Sequence, residues 1–303
     1  EFFDDGIDPA EANRIAKRLA EAGSDAIHVR SGHIFDTTKL VMSGYEPRGV
    51  YLDHAERIKQ GLDVPLIGNG RINDPEFAND AIADGKADLV SMGRAHIADP
   101  HFVRKAKAGD LDRIRRCVGD LKGCRDLVNG NPVTCTVNVM VGREGEEIPE
   151  AESPKDISIV GGGPAGLETA RWAAKRGHSV TVYEREDEIG GQLRWGQHAP
   201  GKHEYTELLR FFTAELEAYE VDVRTGHEVD TNELSDATSD EVIIATGSGP
   251  VIPSIEGVSE GIAADRVTTP EFLLADETSA YESPVVYGGS EIGCDVAEYI
   301  AEQ

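Results

Sequence analysis

Lysine is scarce in this chain: ten occur in 303 residues, and none lies beyond Lys202. Lysine and arginine together number 30 against 56 acidic residues, a formal net charge of −26. A surface so rich in carboxylates repels phosphate backbones, which excludes nucleic acid as a partner. The acidic excess runs the length of the chain rather than forming a tail. It reads as adaptation to a salt-rich cytoplasm, where screening removes the self-repulsion. Long apolar runs are also lacking: no stretch approaches the roughly 20 apolar residues that span a bilayer. No charged-then-apolar segment opens the chain, so no membrane partner is expected and a cytoplasmic location is. The first residue is Glu1 rather than methionine, which predicts a partial sequence. Cysteine is limited to Cys117, Cys124, Cys135 and Cys294, the first three within nineteen residues. In a cytoplasmic protein such clustering points to metal or redox chemistry before disulfides.

What is present is a repeating helix-then-strand pattern. Asp8-Pro9-Ala10-Glu11 reads as a helix start, with Asp as cap, Pro in the first turn and Glu three residues after the cap. Gly23 stops that helix, and 25–30 reads as a buried strand. A helix over 51–60 leads to a strand over 64–67, and Asp74-Pro75-Glu76 caps a third helix before a strand over 87–91. Strands alternating with helices at this spacing predict parallel βα units. Residues 114–152 break the pattern with the clustered cysteines and then an acidic run, Glu144 to Glu152, that reads as a solvated linker. A second domain is expected over 153–282, with strands at 156–160, 180–184, 221–224 and 241–245 and a helix over 204–219. At 285 another strand is expected, followed by a glycine turn and a short helix.

Two sequence features carry binding chemistry. After the strand at 156–160 comes Gly161-Gly162-Gly163-Pro164-Ala165-Gly166-Leu167. Gly161 permits the tight turn, Gly163 lets backbone approach a pyrophosphate, and Gly166 lets helix and strand pack closely. The helix N-terminus presents oriented N–H groups to the anion. Glu184, eighteen residues past Gly166, ends the second strand. There it accepts hydrogen bonds from both ribose hydroxyls, and it would repel a 2′-phosphate. In the first hundred residues, Gly68-Asn69-Gly70-Arg71 and Met92-Gly93-Arg94 are matched glycine–arginine turns at the ends of consecutive strands. The last two such loops of a TIM barrel are the usual phosphate site.

Two further segments, Gly190-Gly191-Gln192-Leu193 and Ala245-Thr246-Gly247, resemble companion motifs of flavoproteins with two dinucleotide domains. With Glu184 and the neighbouring Arg185 they point to FAD, or to ADP in its place. Gly288-Gly289-Ser290-Glu291-Ile292-Gly293 looks like the start of a nicotinamide-binding unit with Ser290 where a glycine is usual. Taken in order, 68–75, 90–94, the cysteine segment and 161–166 resemble the old-yellow-enzyme-type NADH:flavin oxidoreductases that carry a C-terminal nucleotide domain. That family spans 2,4-dienoyl-CoA reductases, trimethylamine dehydrogenases and amine demethylases. The resemblance implies an α/β fold: the C-terminal part of a (β/α)8 TIM barrel (1–113), a cysteine segment and linker (114–152), a Rossmann-like FAD/NAD(P)-binding domain (153–282) and the start of an NAD-binding unit (283–303). It implies FMN in the barrel, FAD or ADP in the next domain, NAD(P)H as electron donor, and a [4Fe–4S] cluster.

In the family four thiolates hold that cluster. Here Asp120 stands at the second thiolate position, and the gap to Cys135 is one residue short. Cys117, Cys124 and Cys135 are therefore expected ligands, with Asp120 at the right step to be a fourth; loss of the cluster, with the cysteines kept as small core residues, is the alternative. Zinc is less suited, because histidines are lacking nearby. His33, in the loop after the strand at 25–30, is the expected substrate-facing proton donor, with a plain loop residue as the alternative; His28 is expected to be structural. The expected activity is reduction of an activated C=C bond in a small molecule of the enoate or enoyl-CoA type, with electrons passing from FAD through the cluster to FMN. The rival is an FMN-dependent amine dehydrogenase or demethylase, and a third reading is a non-catalytic nucleotide-binding remnant. A homo-oligomer is compatible with all three.

Overall fold

The computed structural model of the chain describes residues 6–32, 40–125, 130–236, 238–275 and 283–303. It divides into two compact units, Glu1–Gly145 and Glu146–Gln303.

The first unit is built from βα repeats. Helix α1 (Pro9–Glu21) starts where expected, because the Asp8 carboxylate accepts the Glu11 N–H at 2.8 Å. Strand β1 (Ile27–His28), α2 (Leu52–Lys59), β2 (Leu66–Gly68), α3 (Pro75–Ala83), β3 (Leu89–Val90), α4 (Gly93–Ala98) and α5 (Phe102–Ala108) follow. The three strands are parallel in the order β1-β2-β3, the arrangement of successive units in the later part of a (β/α)8 barrel. Asp74 caps α3 by accepting the N–H groups of Glu76 (2.9 Å) and Phe77 (3.1 Å), satisfying donors that a helix start leaves orphaned. Small residues let helices and strands approach closely: Ala16, Ala55 and Ala87 pack with Val29, Ile58 and Leu66. Asn13 ties α1 to α2 by donating to the carbonyls of Ile58 and Gln60.

The cysteine segment folds onto this unit through polar anchors. The Asp99 carboxylate accepts from the Arg115 N–H (3.0 Å), the His101 N–H (2.9 Å) and Lys105 Nζ (2.7 Å). Buried Arg116 pairs with Asp74 at 2.5 Å, and Asn73 donates to the Cys117 carbonyl at 2.6 Å. Asn138 accepts from Arg115 and donates to the Ile97 carbonyl. Ile114 is fully buried with Ala95 and Phe102.

The second unit holds a four-stranded parallel sheet: β4 (Asp156–Val160), β5 (Ser179–Tyr183), β6 (Asp222–Arg224) and β7 (Glu241–Ile244), in the order β6-β5-β4-β7. Helix α6 (Pro164–Lys175) crosses from β4 to β5; α7 (Leu193–Gly196) and α8 (Tyr205–Ala218) lie between β5 and β6, and α9 (Thr231–Asp236) between β6 and β7. The chain steps outward from β4 to β6 and then returns to the other side of β4. That reversal makes a crevice between the ends of β4 and β7, where doubly wound folds bind dinucleotides. The core joins Ile159 and Val182 of the sheet with Leu167 and Ala170 of α6 and Leu208, Phe211 and Leu216 of α8. Arg171 sits buried in the helix layer, held by Glu168 at 2.8 Å and lying 4.5 Å above the Trp172 ring. Helices α10 (Val258–Ala263), α11 (Pro270–Ala275) and α12 (Glu291–Glu302) complete the unit, with Leu273, Leu274, Val296 and Tyr299 forming a satellite core.

Several strand expectations differ. The strands expected over 25–30 and 87–91 are only Ile27–His28 and Leu89–Val90, and the strand expected from 285 is irregular, with Val285 92% and Tyr287 79% exposed. Apolar β-branched runs favour strands only where a neighbouring strand completes the ladder, and among the described residues none pairs with 285–287.

Candidate functional site

The ends of β1, β2 and β3 open into a cavity of about 350 Å³ in the first unit. The two glycine–arginine turns meet there: Asn69, Gly70, Arg71, Gly93 and Arg94 all line it, with Cys117 and Cys124 at its margin. Gly68 lies beneath the lining, where a Cβ would stand 3.0 Å from both Ala87 and Leu52. Gly70 has φ +119°, and a Cβ there would reach 2.9 Å from the Tyr51 backbone nitrogen. Glycine is thus required at 70, while a side chain at 68 would need Ala87 and Leu52 to shift.

The two arginines differ in their surroundings. Arg71 has φ 53°, a left-handed conformation rare outside glycine, and its Nη1 donates to the carbonyls of Glu46 and, at 3.4 Å, Gly44. Arg94 Nη1 is buried and has no hydrogen-bond partner among the described residues, and neither has Asn69 Oδ1. A buried guanidinium N–H left open at a cavity wall fits an anion. Arg30 and His28 join the lining, and no carboxylate is among the described residues that do. Burial, aided by the Glu46 carboxylate, pushes the Tyr51 phenol up to about 12 against the pull of Arg30 and Arg94. In a chain of net charge −26, this is a concentrated positive pocket, and the residues present fit the FMN phosphate. His28, expected to be structural, is exposed and stands 3.2 Å from Asn69 Nδ2. A two-residue strand leaves its side chain on the cavity side. His33 lies outside the described residues.

The three clustered cysteines come together beside this pocket. Burial pushes the Cys117 thiol up to about 11, against Arg94, and raises those of Cys124 and Cys135 as well; Cys117 is influenced by both of the others and Cys124 by Cys135. Such thiols are neutral at physiological pH unless a metal displaces their protons. Among the described residues no three His, Cys, Asp or Glu side chains converge as ligands of one ion, the geometry zinc requires. A cubane makes a different demand, since each thiolate binds a separate iron. Three thiols and Asp120 supply four donors of suitable chemistry. Cys294 is exposed.

In the second unit three loops converge at the β4–β7 crevice. Gly161 has φ +112°, and a Cβ there would lie 2.3 Å from the Ala245 carbonyl oxygen; on Gly166 it would lie 1.9 Å from that of Gly161. A Cβ on Gly163 would meet nothing closer than 4.0 Å, so that glycine faces open space at the start of α6. Pro164 and Ala165 are exposed there. The Gly190 N–H bonds the Gly162 carbonyl at 2.7 Å, Gly191 (φ +50°) abuts Gly163, and Gln192 reaches the Ser248 carbonyl at 3.0 Å. Leu193 opens α7, and Thr246 and Gly247 are exposed beyond β7. Buried Glu184 accepts the Gly162 N–H at 2.7 Å on one oxygen and the Glu186 N–H at 2.9 Å on the other, leaving a second lone pair on each. Arg185 points away: it is 71% exposed and pairs with Glu186. This cradle fits the pyrophosphate and ribose of an adenine dinucleotide.

The turn before α12 has the same backbone form. Gly288 has φ +117°, and a Cβ on Gly293 would lie 2.1 Å from the Gly288 carbonyl oxygen. The caps match as well: Gly163 at φ −78°, ψ 177° and Ser290 at φ −74°, ψ 175°. Sequence reasoning missed Arg115, Arg116, Asn138 and Asp99, which seat the cysteine segment. The one available signal was the run Arg113-Ile114-Arg115-Arg116 in a chain poor in positive charge.

Comparison with known proteins gives a consistent answer. The signature described as the NADH:flavin oxidoreductase / NADH oxidase family matches residues 1–112, and that of pyridine nucleotide-disulphide oxidoreductases matches 134–194 and 155–303. An NADH oxidase of Thermoanaerobacter brockii is 40% identical over 316 residues, covering 100% of this chain and 47% of that protein. A cinnamate reductase of Clostridium sporogenes is 34% identical, over 100% of this chain and 45% of its own length. An N,N-dimethylglycine/sarcosine dehydrogenase of Chromohalobacter salexigens is 31% identical, over 100% and 46%. Among solved structures, a 2-naphthoyl-CoA reductase in complex with 2-naphthoyl-CoA superposes with a TM-score of 0.89 at 31% identity, covering 97% of this chain and 44% of that one. The chain spans about half the length of the curated relatives it matches.

Proposed function

The chain belongs to the NADH:flavin oxidoreductases that join an FMN-type barrel to a pyridine-nucleotide domain, the 2,4-dienoyl-CoA reductase type, and from that premise we propose that it reduces an activated C=C bond in an anionic substrate of the enoate or enoyl-CoA class. The observation that carries this reading is the cavity lined by Arg30, Arg71 and Arg94, with no carboxylate among its described lining. Arg94, with the backbone of Gly70 and Gly93, would hold the FMN phosphate. A phosphate monoester carries about −1.5 to −2 charges, so three guanidinium groups leave the pocket positive after binding it. That residual charge attracts a carboxylate or an acyl-CoA phosphate and repels an alkylammonium ion. The amine-oxidising alternative would place a cationic substrate against the same arginines.

In the second unit Gly161, Gly163, the N-terminus of α6 and Glu184 would hold FAD or ADP, with Gln192 and Thr246 closing the crevice; the turn from Gly288 to Gly293 would receive NAD(P)H. When bound, these groups supply hydride acceptance from the nicotinamide and electron transfer through FAD and a [4Fe–4S] cluster to FMN. The chain's own part is binding and orientation. Tyr51, a neutral phenol at working pH, retains its proton as a donor at the pocket wall, and His33 is the proposed proton donor to the substrate. The division into 1–113, 114–152, 153–282 and 283–303 follows from these assignments.

The test is anaerobic NADH oxidation by the intact protein with cinnamate or a cinnamoyl-CoA thioester, against dimethylglycine with an artificial electron acceptor. Turnover of the unsaturated acid or thioester alone supports the proposal. Oxidation of the amine without reduction of either C=C substrate would refute it.

A further inference from the structure

The cysteine segment holds a buried carboxylate oxygen without a hydrogen-bond partner among the described residues, that of Asp120. Asp120 stands between Cys117 and Cys124 in a loop wound by three left-handed residues, Gly119 (φ 72°), Leu121 (φ 61°) and Gly123 (φ 76°). Leu121 is the costly one, since a branched side chain there strains against its own backbone. Packing holds the winding in place. The Gly44 N–H donates to the Gly119 carbonyl at 2.9 Å, and a Cβ on Gly123 would fall 2.1 Å from Thr134 Oγ1. That last contact brings the residues that follow, Cys124 and Cys135, side by side.

The two Asp120 carboxylate oxygens differ in their surroundings. Its Oδ1 accepts the Lys122 N–H at 3.2 Å. Its Oδ2 is buried and has no hydrogen-bond partner among the described residues, and the carboxylate lies within electrostatic reach of Cys124 and Cys135. A carboxylate oxygen buried without a donor is unfavourable in the metal-free chain. A cation centre among the four groups removes every part of that cost.

Resting on the cluster reading above, we propose that Asp120 is the fourth ligand, binding through Oδ2 one iron of a [4Fe–4S] cluster whose other irons are held by Cys117, Cys124 and Cys135. Three soft sulfur ligands and one hard oxygen make one iron unlike the rest. That iron is the one lost on oxidation. Ferricyanide removes one electron from the [4Fe–4S]²⁺ form, and the resulting 3+ core releases Fe²⁺ to leave [3Fe–4S]⁺, so charge and iron both balance.

The experiment is anaerobic reconstitution of the intact protein with ferrous iron and sulfide. It is followed by iron and acid-labile sulfide analysis, Mössbauer spectroscopy and a ferricyanide titration read by electron paramagnetic resonance. The expected result is about four irons per chain, one of them spectroscopically distinct and released on oxidation. Asp120→Cys should hold that iron through the same titration, and Asp120→Ala and the near-isosteric Asp120→Asn should assemble with about three. FMN content and circular dichroism check that the variants are folded. Asp120→Ala and Asp120→Asn carrying four irons with the wild-type spectrum would overturn the ligand assignment while leaving the cluster standing. A cluster in Asp120→Cys with none in the wild type would also overturn it. Absence of iron and sulfide from every form would remove the cluster reading itself.

Discussion

Replacing Arg94 by alanine separates ligand binding from fold stability. In the chain alone, Arg94 Nη1 is buried without a partner among the described residues, so removing it breaks no hydrogen bond at that atom and relieves a desolvated charge. Stability should therefore stay level or rise slightly. Binding should move the other way. A charge-assisted hydrogen bond from a guanidinium to phosphate is worth about 1.5–3 kcal/mol, and about 1.4 kcal/mol is a tenfold change in affinity. Arg94→Ala should then weaken FMN binding roughly ten- to a hundredfold, and Arg94→Lys should recover only part of it, since an ammonium lacks the planar fork. Arg71 behaves differently because its guanidinium holds the carbonyls of Gly44 and Glu46. Arg71→Ala should lower stability as well as affinity. The assay is quenching of FMN fluorescence on titration into apoprotein, alongside thermal melts without flavin and FAD content as an internal control. An unchanged FMN affinity in Arg94→Ala, with FAD retained, would refute the phosphate assignment.

Two further predictions concern the other unit and the seat of the cysteine segment. Gly166→Ala should cost FAD before anything else: its Cβ would lie 1.9 Å from the Gly161 carbonyl oxygen, so the turn must open, at about 1–3 kcal/mol for overpacking; FAD per chain is the readout, with FMN unaffected. For Asp99, burial raises the carboxyl but is outweighed by the Lys105 ion pair and the N–H groups of Arg115 and His101, so the folded value lies below the ordinary 3.8. Its contribution to stability is therefore full above that ordinary value and is lost as pH falls through the lower folded one. Asp99→Asn should lower stability by about 2 kcal/mol at neutral pH and flatten the acid limb of a urea-midpoint profile; parallel profiles for both proteins would contradict the assignment.

The parts of the fold that were legible in the sequence are those encoded by neighbours along the chain. Asp8-Pro9 and Asp74-Pro75 mark helix starts because a cap and its N–H donors lie within three residues. The turn from Gly161 to Gly166 is legible for the same reason, its carbonyl, Cβ and helix start all being local. What stayed hidden depends on distant partners. Asp74 with Arg116, Asn73 with Cys117 and Asp99 with Arg115 join residues 16 to 44 apart, and nothing in the identity of a single Asp or Arg says which opposite group will meet it. Arg71 and Arg94 look equivalent as Gly-Arg turns, yet carbonyls of a preceding loop engage one while the other faces the pocket. Arg185 followed Glu184 into the expected site only by adjacency; it lies past the end of β5, exposed and paired with Glu186.

The contact between Gly123 and Thr134 bears on how the segment tolerates change. Their backbones meet so closely that no Cβ fits between them, and the Thr134 N–H points to the Gly123 carbonyl at 3.4 Å. Cys124 and Cys135 are thus brought together from the neck of the loop, not by the length of chain running between them. The residues next to both cysteines are fixed to each other directly, so a gap one residue short of the family spacing does not by itself set the two thiols apart.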